Sequence, residues 1–337
     1  MITVVVAGLG RVGTHYEAPD GAPPRSHVGA ALACSALRIA GAVDPDDKAR
    51  AQFRTRWPEL ADVPLAGRLA DLPVQRPDVI ALCTPPETRV ADVADALAMT
   101  PRALIVEKPL ALDVASGAQI IDRTASAGAI LRVNFHRRLD PGHAALRRDL
   151  PKAPPARAVL RYGKGLYNYG AHVVDWLLDW FGDVESVQAV GDPNAASPSF
   201  ICRMTVGFDA HVLGMDDVLF DQFDADLFFA DRRIEILNGG CEMRQSEPVA
   251  DRYYPGYIHL GPARDLKPTG PVGGLTELYE AVGEHLVRGA DLPGCNGDAA
   301  LAGLNVLAAV ERSVARGGSL ERPGVAGHDP QLSVARQ

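Results

Sequence analysis

The sequence predicts two mixed domains: an N-terminal α/β half built on a doubly wound parallel sheet, and a C-terminal α+β half with an open, mainly antiparallel sheet. Three observations lead there. Short, continuous apolar runs alternate with helix-compatible stretches through residues 2 to 127, the pattern of parallel strands buried on both faces and separated by crossover helices. After Val133 that alternation stops, Pro151, Pro154 and Pro155 break the chain, and apolar residues begin to cluster or alternate as in antiparallel strands. The 337 residues also exceed the ~250 to 300 at which a single core stops growing.

The N-terminal strands are expected at residues 2 to 7, Leu37 to Val43, Val79 to Cys83 and Ala103 to Val106, with helices over His27 to Ala36, Asp46 to Trp57, Arg89 to Ala98 and Asp113 to Ala127. In the C-terminal half, strands are expected at residues 156 to 162 and 199 to 208, Leu227 to Phe229 and Arg233 to Leu237, followed by a turn at Asn238-Gly239-Gly240. Leu301, Leu304, Leu307, Val310 and Val314 recur at helical spacing, so residues 298 to 316 read as an amphipathic helix closed by Gly317-Gly318. The division expected is 1 to 132, 133 to 321, and a loosely ordered tail from 322 to 337.

Hydrophobic residues make up 47% and charged residues 23%, which allows a sizeable core and excludes global disorder. A net charge of -8 disfavours nonspecific binding to nucleic acid or an anionic membrane, leaving a small molecule as the expected partner. The five scattered cysteines, Cys34, Cys83, Cys202, Cys241 and Cys295, form no CxxC pair and read as reduced thiols. Without a signal-peptide pattern or a membrane-length apolar window, a cytoplasmic location is expected.

The first apolar run ends in Gly8-Leu9-Gly10-Arg11-Val12-Gly13, a GxGxxG placed between a strand and a helix. Such a loop lets backbone N–H groups approach a pyrophosphate, which makes the N-terminal half a Rossmann-type nucleotide domain. Asp44 ends the next strand and can accept hydrogen bonds from both ribose hydroxyls. Asp46 and Asp47 place negative charge where a 2'-phosphate would sit, so NAD is expected over NADP, and no metal site is expected. Asp44 lies well beyond the usual ~20 residues from the loop. The excess, Thr14 to Arg25, contains Pro19, Pro23 and Pro24, which implies a short helical turn after Gly10, an inserted loop, and a helix resuming near Ser26.

Four segments in order, the glycine loop, Cys83-Thr84-Pro85-Pro86-Glu87-Thr88, Glu107-Lys108-Pro109 and Gly170-Ala171-His172-Val173-Val174-Asp175, resemble the motifs of the Gfo/Idh/MocA family of oxidoreductases. The stretch from Asp298 to Gly318 is similar to the family's late helix. The resemblance implies a polyol or sugar substrate between the two domains and a homodimer or homotetramer joined through the open sheet. It implies cofactor contacts at Thr84, Pro85, Glu107 and Lys108, a cis peptide before Pro109, and catalysis by Lys108 and His172. Oxidising a secondary alcohol needs its carbinol hydrogen held against nicotinamide and a base for the hydroxyl proton. Taken alone, Lys108 reads as a surface lysine paired with Glu107, and His172 with Asp175 as a capped helix or satisfied core histidine; their places in the family motifs reverse that reading.

Two departures stand out: Asn168 occupies a position where the family more often has Asp, and Arg89 one where many relatives have histidine. An amide cannot take a proton, so Asn168 is expected only to bind substrate. Asp175, Arg137, Arg138, Arg161 and Tyr162 complete the expected substrate side. The arginines, with Lys164, suit a carboxylate or the diphosphate of a nucleotide sugar, or else are solvated surface charges. Tyr167 and Tyr169 read as core or cleft wall. The competing class is a noncatalytic nucleotide- or sugar-binding sensor or scaffold, and within the enzymes a reductase of a linear or aromatic carbonyl or imine.

Overall fold

The computed structural model describes residues 1–16, 22–267 and 271–324. Part of the inserted loop and most of the expected tail lie outside the described residues. The N-terminal strands are β1 (Ile2–Ala7), β2 (Leu37–Val43), β3 (Leu65–Ala66), β4 (Val79–Leu82), β5 (Ala103–Val106) and β6 (Ile130–Val133). They pair in parallel in the order β3-β2-β1-β4-β5-β6, the doubly wound order that leaves a crevice beyond the carboxyl ends of β1 and β4. Between them run α1 (His27–Ala33), α2 (Asp47–Arg56), α3 (Arg89–Ala98) and α4 (Val114–Ser126). Every side chain of β4 and β5 is buried, as strands covered on both faces require.

The C-terminal half contributes α5 (Pro141–Asp149), β7 (Arg157–Tyr162), α6 (Ala171–Phe181), β8 (Val184–Val190), β9 (Ser199–Met204), β10 (Asp209–Gly214), β11 (Phe223–Phe228), β12 (Arg233–Leu237) and β13 (Glu242–Ser246). After them come β14 (Pro248–Ala250), β15 (Ile258–Leu260), β16 (Arg264–Lys267), α7 (Leu275–Arg288) and α8 (Gly297–Ala315). Eight strands form one sheet in the order β16-β13-β12-β11-β7-β10-β9-β8, antiparallel except where β10 runs parallel to β7. Ala158, Leu160 and Tyr162 of β7 face the core on the helix-covered side, while Arg157, Val159 and Arg161 alternate to the other side.

The late helix begins one residue before the expected position, with the Asn296 side chain accepting from Ala299 N at 2.9 Å. Residues 199 to 208 do not form one strand. β9 ends at Met204, and Gly207, at φ +98°, turns the chain so that Met204 N donates to Phe208 O. β11 starts earlier than the expected Leu227, because Asp224 and Asp226 on its outer face interrupt the apolar signal. As expected from the spacing, a helical turn over Arg11–His15 follows Gly10, and α1 resumes after Ser26, whose hydroxyl accepts from Gly29 N.

α7 is late in sequence but packs on the N-terminal sheet: Leu275, Leu278, Tyr279 and Val282 share a core cluster with Ile2, Val4, Val28 and Leu37. Its docking depends on Gly274, whose φ is +102° and where a Cβ would lie 1.9 Å from the His136 carbonyl oxygen. Deeper in the same region, His27 is fully buried, its Nδ1 2.9 Å from the Tyr279 hydroxyl and its Nε2 2.9 Å from Glu107 Oε1. Asn134 Nδ2 donates to the same carboxylate at 2.5 Å. Burial alone would depress the imidazole, but its interactions with Cys83, Tyr279 and Glu107 carry it well above its ordinary pKa. Burial would raise Glu107, and the bonds from His27 and Asn134 bring it below the usual carboxylate range instead. The two directions agree on an imidazolium–carboxylate pair joining α1, α7 and the end of β5.

Gly274→Ala is therefore expected to lose at least about 2 kcal/mol from backbone strain and collision, read as a lower urea midpoint at constant slope. His27→Ala strands a buried carboxylate and is expected to cost about 3–5 kcal/mol. The sign with pH follows from both shifts. The raised imidazole contributes fully below its unfolded value near 6.5, the depressed carboxylate fully above its own near 4.5. The wild-type advantage over His27→Ala should therefore be largest between those values and shrink on either side. An advantage flat from acid to alkaline pH would show that the pair is not ionic.

Candidate active site

The crevice at the carboxyl ends of β1 and β4 is shaped by backbone. Gly8 stands at φ +93° with space for no Cβ, since one would lie 2.8 Å from the Cys83 carbonyl carbon. A Cβ on Gly13 would meet Gly8 O at 2.0 Å. Beside Gly10, by contrast, nothing lies within 4 Å, and its N–H donates to no described residue. An open glycine with a free donor next to the first turn of a helix is what a pyrophosphate needs. Arg11 is exposed and Val12 half-buried on that turn.

Asp44 sits at the end of β2. Its Oδ2 accepts from Leu9 N at 2.8 Å and its Oδ1 from Asp46 N at 2.9 Å, so the carboxylate is aimed across the glycine loop with lone pairs to spare. Arg50 bonds the Asp44 carbonyl and the Asp47 carboxylate, pinning this corner. On the other side, Thr84 donates to Asp92 at 2.5 Å, and Pro85 follows exposed. Arg89 is wholly buried and its guanidinium bonds the carbonyls of both Thr84 and Glu107. It ties the loop after β4 to the turn after β5. The glycine loop and Asp44 thus fit a nicotinamide dinucleotide.

The Lys108–Pro109 peptide is cis. With the Glu107 side chain held below by His27 and Asn134, Lys108 turns toward the C-terminal half, its Nζ 2.6 Å from Asn168 Oδ1 and 3.4 Å from Asn168 O. Burial pushes Lys108 down to about 8, with Glu107 opposing and Arg137 adding to the fall. His172 opens α6 and is 7% exposed, bounded by the rings of Phe135, His136 and Phe223 at centroid distances of 5.5, 6.0 and 5.8 Å. Among the described residues neither of its nitrogens has a hydrogen-bond partner. Burial, then Lys108, Arg137 and His136, hold it well below the ordinary histidine range, so it is neutral near pH 7. Burial takes His136 down to about 3.

The structure thus brings Lys108, Asn168, His172 and Arg137 together. Arg137 rests on the Phe223 ring at 4.6 Å and donates from Nε to Gly239 O at 2.9 Å. Others of the expected set lie elsewhere. Arg138 pairs with Asp175 at 2.8 Å and with Asp179 at 3.4 Å, leaving Asp175 engaged behind the helix face. Arg161 pairs with Asp226 at 2.7 Å on the outer sheet surface, where Arg233 shares that carboxylate. Tyr162 points the other way, fully buried, its hydroxyl donating to Pro198 O at 2.7 Å. Tyr167 donates to Glu311 at 2.8 Å, and Tyr169 packs on Phe223 at the cleft wall. His27, Asn134 and Tyr279, which shape the site from beneath, follow no motif and come from three separate stretches of chain. Arg89 carried a signal, as a departure from histidine, but its bonds to two carbonyls were not readable from it.

Residues 2–135 match the family model described as "Oxidoreductase family, NAD-binding Rossmann fold". A comparison with curated protein sequences gives no match. Among solved structures, the UDP-N-acetylglucosamine 3-dehydrogenase GnnA from Acidithiobacillus ferrooxidans shares 18% identity over 93% of this chain and 98% of its own, with a TM-score of 0.70. The WlbA dehydrogenase from Bordetella pertussis, in complex with NADH and UDP-GlcNAcA, shares 16% over 95% and 98%, with a TM-score of 0.72. An oxidoreductase from Agrobacterium radiobacter, in complex with NAD+, L-tartaric acid and magnesium, shares 16% over 96% and 98%, with a TM-score of 0.70. At these identities the likeness is one of fold, and it runs through both halves of the chain. The family match takes in the glycine loop, the Thr84 loop and the Glu107-Lys108-Pro109 turn, so residues 2–135 are similar to the NAD-binding Rossmann domain of the Gfo/Idh/MocA oxidoreductases.

Proposed function

We propose that the protein is an NAD-dependent oxidoreductase that interconverts a secondary alcohol and a carbonyl on a sugar, nucleotide sugar, cyclitol or related polyol. Lys108 and His172 share proton transfer and substrate positioning, and Asn168 binds. One observation carries this reading: an amine with a pKa near 8, at the carboxyl end of a central parallel strand, is held 2.6 Å from an amide oxygen beside a neutral, unpartnered imidazole. When bound, nicotinamide accepts or returns the hydride. Neutral Lys108 takes the hydroxyl proton during oxidation and returns it during reduction. His172, uncharged, can accept or donate a hydrogen bond to the same oxygen or its neighbour. Asn168 fixes the amine through Oδ1 and leaves its NH2 group for the substrate. Asp44, Asp46 and Asp47 support NAD over NADP. We place the protein in the cytoplasm, as a homodimer or homotetramer.

The alternative, a noncatalytic sensor or scaffold, draws on the amide at Asn168. It is separated from the enzyme by deuterium transfer from labelled NADH across a panel of oxidised sugars and cyclitols: transfer eliminates it.

Lys108→Ala is expected to lower kcat by about 10²–10⁴ while NADH affinity, followed by nicotinamide fluorescence, stays essentially unchanged. Wild-type turnover would remove Lys108 from the mechanism. Because oxidation needs the free amine, its kcat/KM should rise with pH through about 8 and then level off, whereas the reductive rate should fall above the same value. Titration with NADH and NADPH is expected to show tighter binding of NADH, and Asp44→Ala to narrow the difference. Equal binding by the wild type would refute the role given to Asp44.

A further inference from the structure

We propose that the substrate carries a carboxylate and that Arg137 receives it. The inference rests on the oxidoreductase reading and names the substrate class within it. Its basis is the balance of charge in the cleft. Lys108 and Arg137 are both cations facing the substrate space, and no carboxylate pairs with either among the described residues. Each nearby acid is committed elsewhere: Glu107 to His27 and Asn134, and Asp175 to Arg138. Asp140 accepts from the backbone N–H groups of His143 and Gly273. Where an aspartate would supply a counter-charge, the chain has Asn168.

Arg137 is also presented as a receptor. Its Nε is bound to Gly239 O and its plane lies over Phe223, with Trp176 at 6.0 Å, so the guanidinium is fixed on two sides. The Nη edge has no described partner and is the part of the fork that takes a carboxylate through two parallel bonds. A partly buried guanidinium without a counter-ion is costly unless a ligand supplies one. A diphosphate would need a longer track of free cations, and the described residues of the cleft offer none, since Arg138 and Arg161 are each held by aspartates. The Phe223 ring beneath Arg137 also packs against His172 at 5.8 Å, which places the anion site in the same cleft as His172 and Lys108.

The test is calorimetry on the enzyme–NADH complex, in which alcohols bind without turning over, using matched pairs: L-tartrate against L-threitol, and D-glucuronate against D-glucose, with D-glucose 6-phosphate as a third arm. The carboxylates should bind at least about tenfold more tightly than their neutral partners. Arg137→Gln should abolish that preference while binding NADH normally. Asn168→Asp, which adds a carboxylate without disturbing the packing around Phe223, should weaken it by a similar factor, so the idea remains testable even if the arginine variant folds poorly. No preference, failure of every carboxylate to bind at millimolar concentration, or a preference that survives Arg137→Gln would overturn the proposal. Stronger binding of the phosphate ester, lost in Arg137→Gln, would also overturn it in favour of a phosphorylated substrate. The same titrations without NADH separate the two readings: a protein that binds the carboxylates but no NADH would sink the oxidoreductase and leave the anion site standing.

Discussion

The buried carboxylate of Glu107 is the contact on which the rest of the site depends. It ends a central strand, meets an imidazole from α1 and an amide from the segment after β6, and through His27 reaches the hydroxyl of Tyr279 on α7. Four parts of the chain, brought together from positions as distant as 27 and 279, are thereby fixed relative to one strand end. A charge this deep is tolerated only with partners in good geometry, so the network also fixes which way Glu107 points. Since its side chain is held down into the core, the next residue, Lys108, is directed into the cleft. Arg89 does the same for the backbone, binding the Glu107 carbonyl and linking it to the loop at Thr84.

That arrangement explains why the Lys108 amine is brought down to about 8. Lys108 is desolvated, and the one acid adjacent in sequence faces away from it toward His27. Its direct partner is an amide oxygen, which orients the amine but supplies no full negative charge. Arg137, close enough to be felt, works in the same direction as burial. An aspartate in place of Asn168 would stabilise the ammonium and raise its pKa, leaving less free base at pH 7. The amide is in this sense compatible with a lysine that acts as base and with a histidine that stays neutral throughout.

Much of the N-terminal half was legible, because a strand buried on both faces writes a continuous apolar run and the glycine loop follows directly on the first one. The open sheet was less so. Its outer face carries Arg161, Asp224, Asp226 and Arg233, so β11 shows an apolar signal only near its end, and β13 to β16 show almost none. α7 did carry the spacing Leu275, Leu278, Tyr279, Val282, yet nothing in sequence says that it returns to the N-terminal sheet. For the cleft, Lys108 and His172 stood in motifs, but a row of arginines could not be divided into paired and unpaired members. That division depends on which aspartates the fold delivers, and Asp175, Asp179 and Asp226 come from elements whose relative positions only packing determines.

The fate of those aspartates also gives the cleft its character. The chain as a whole is acidic, with 42 acidic against 34 basic residues, so a cationic cleft does not follow from composition. It arises because the fold draws each nearby carboxylate away: Asp175 and Asp179 to Arg138, Asp226 to the outer sheet, Glu107 to His27. Arg137 and Lys108 are thus left as cations without a paired carboxylate among the described residues, inside a molecule of net negative charge. On the proposal made above, such a site would discriminate by position rather than by attraction at a distance: an anionic substrate would gain only with its carboxylate seated at Arg137, and a neutral analogue would leave that guanidinium uncompensated.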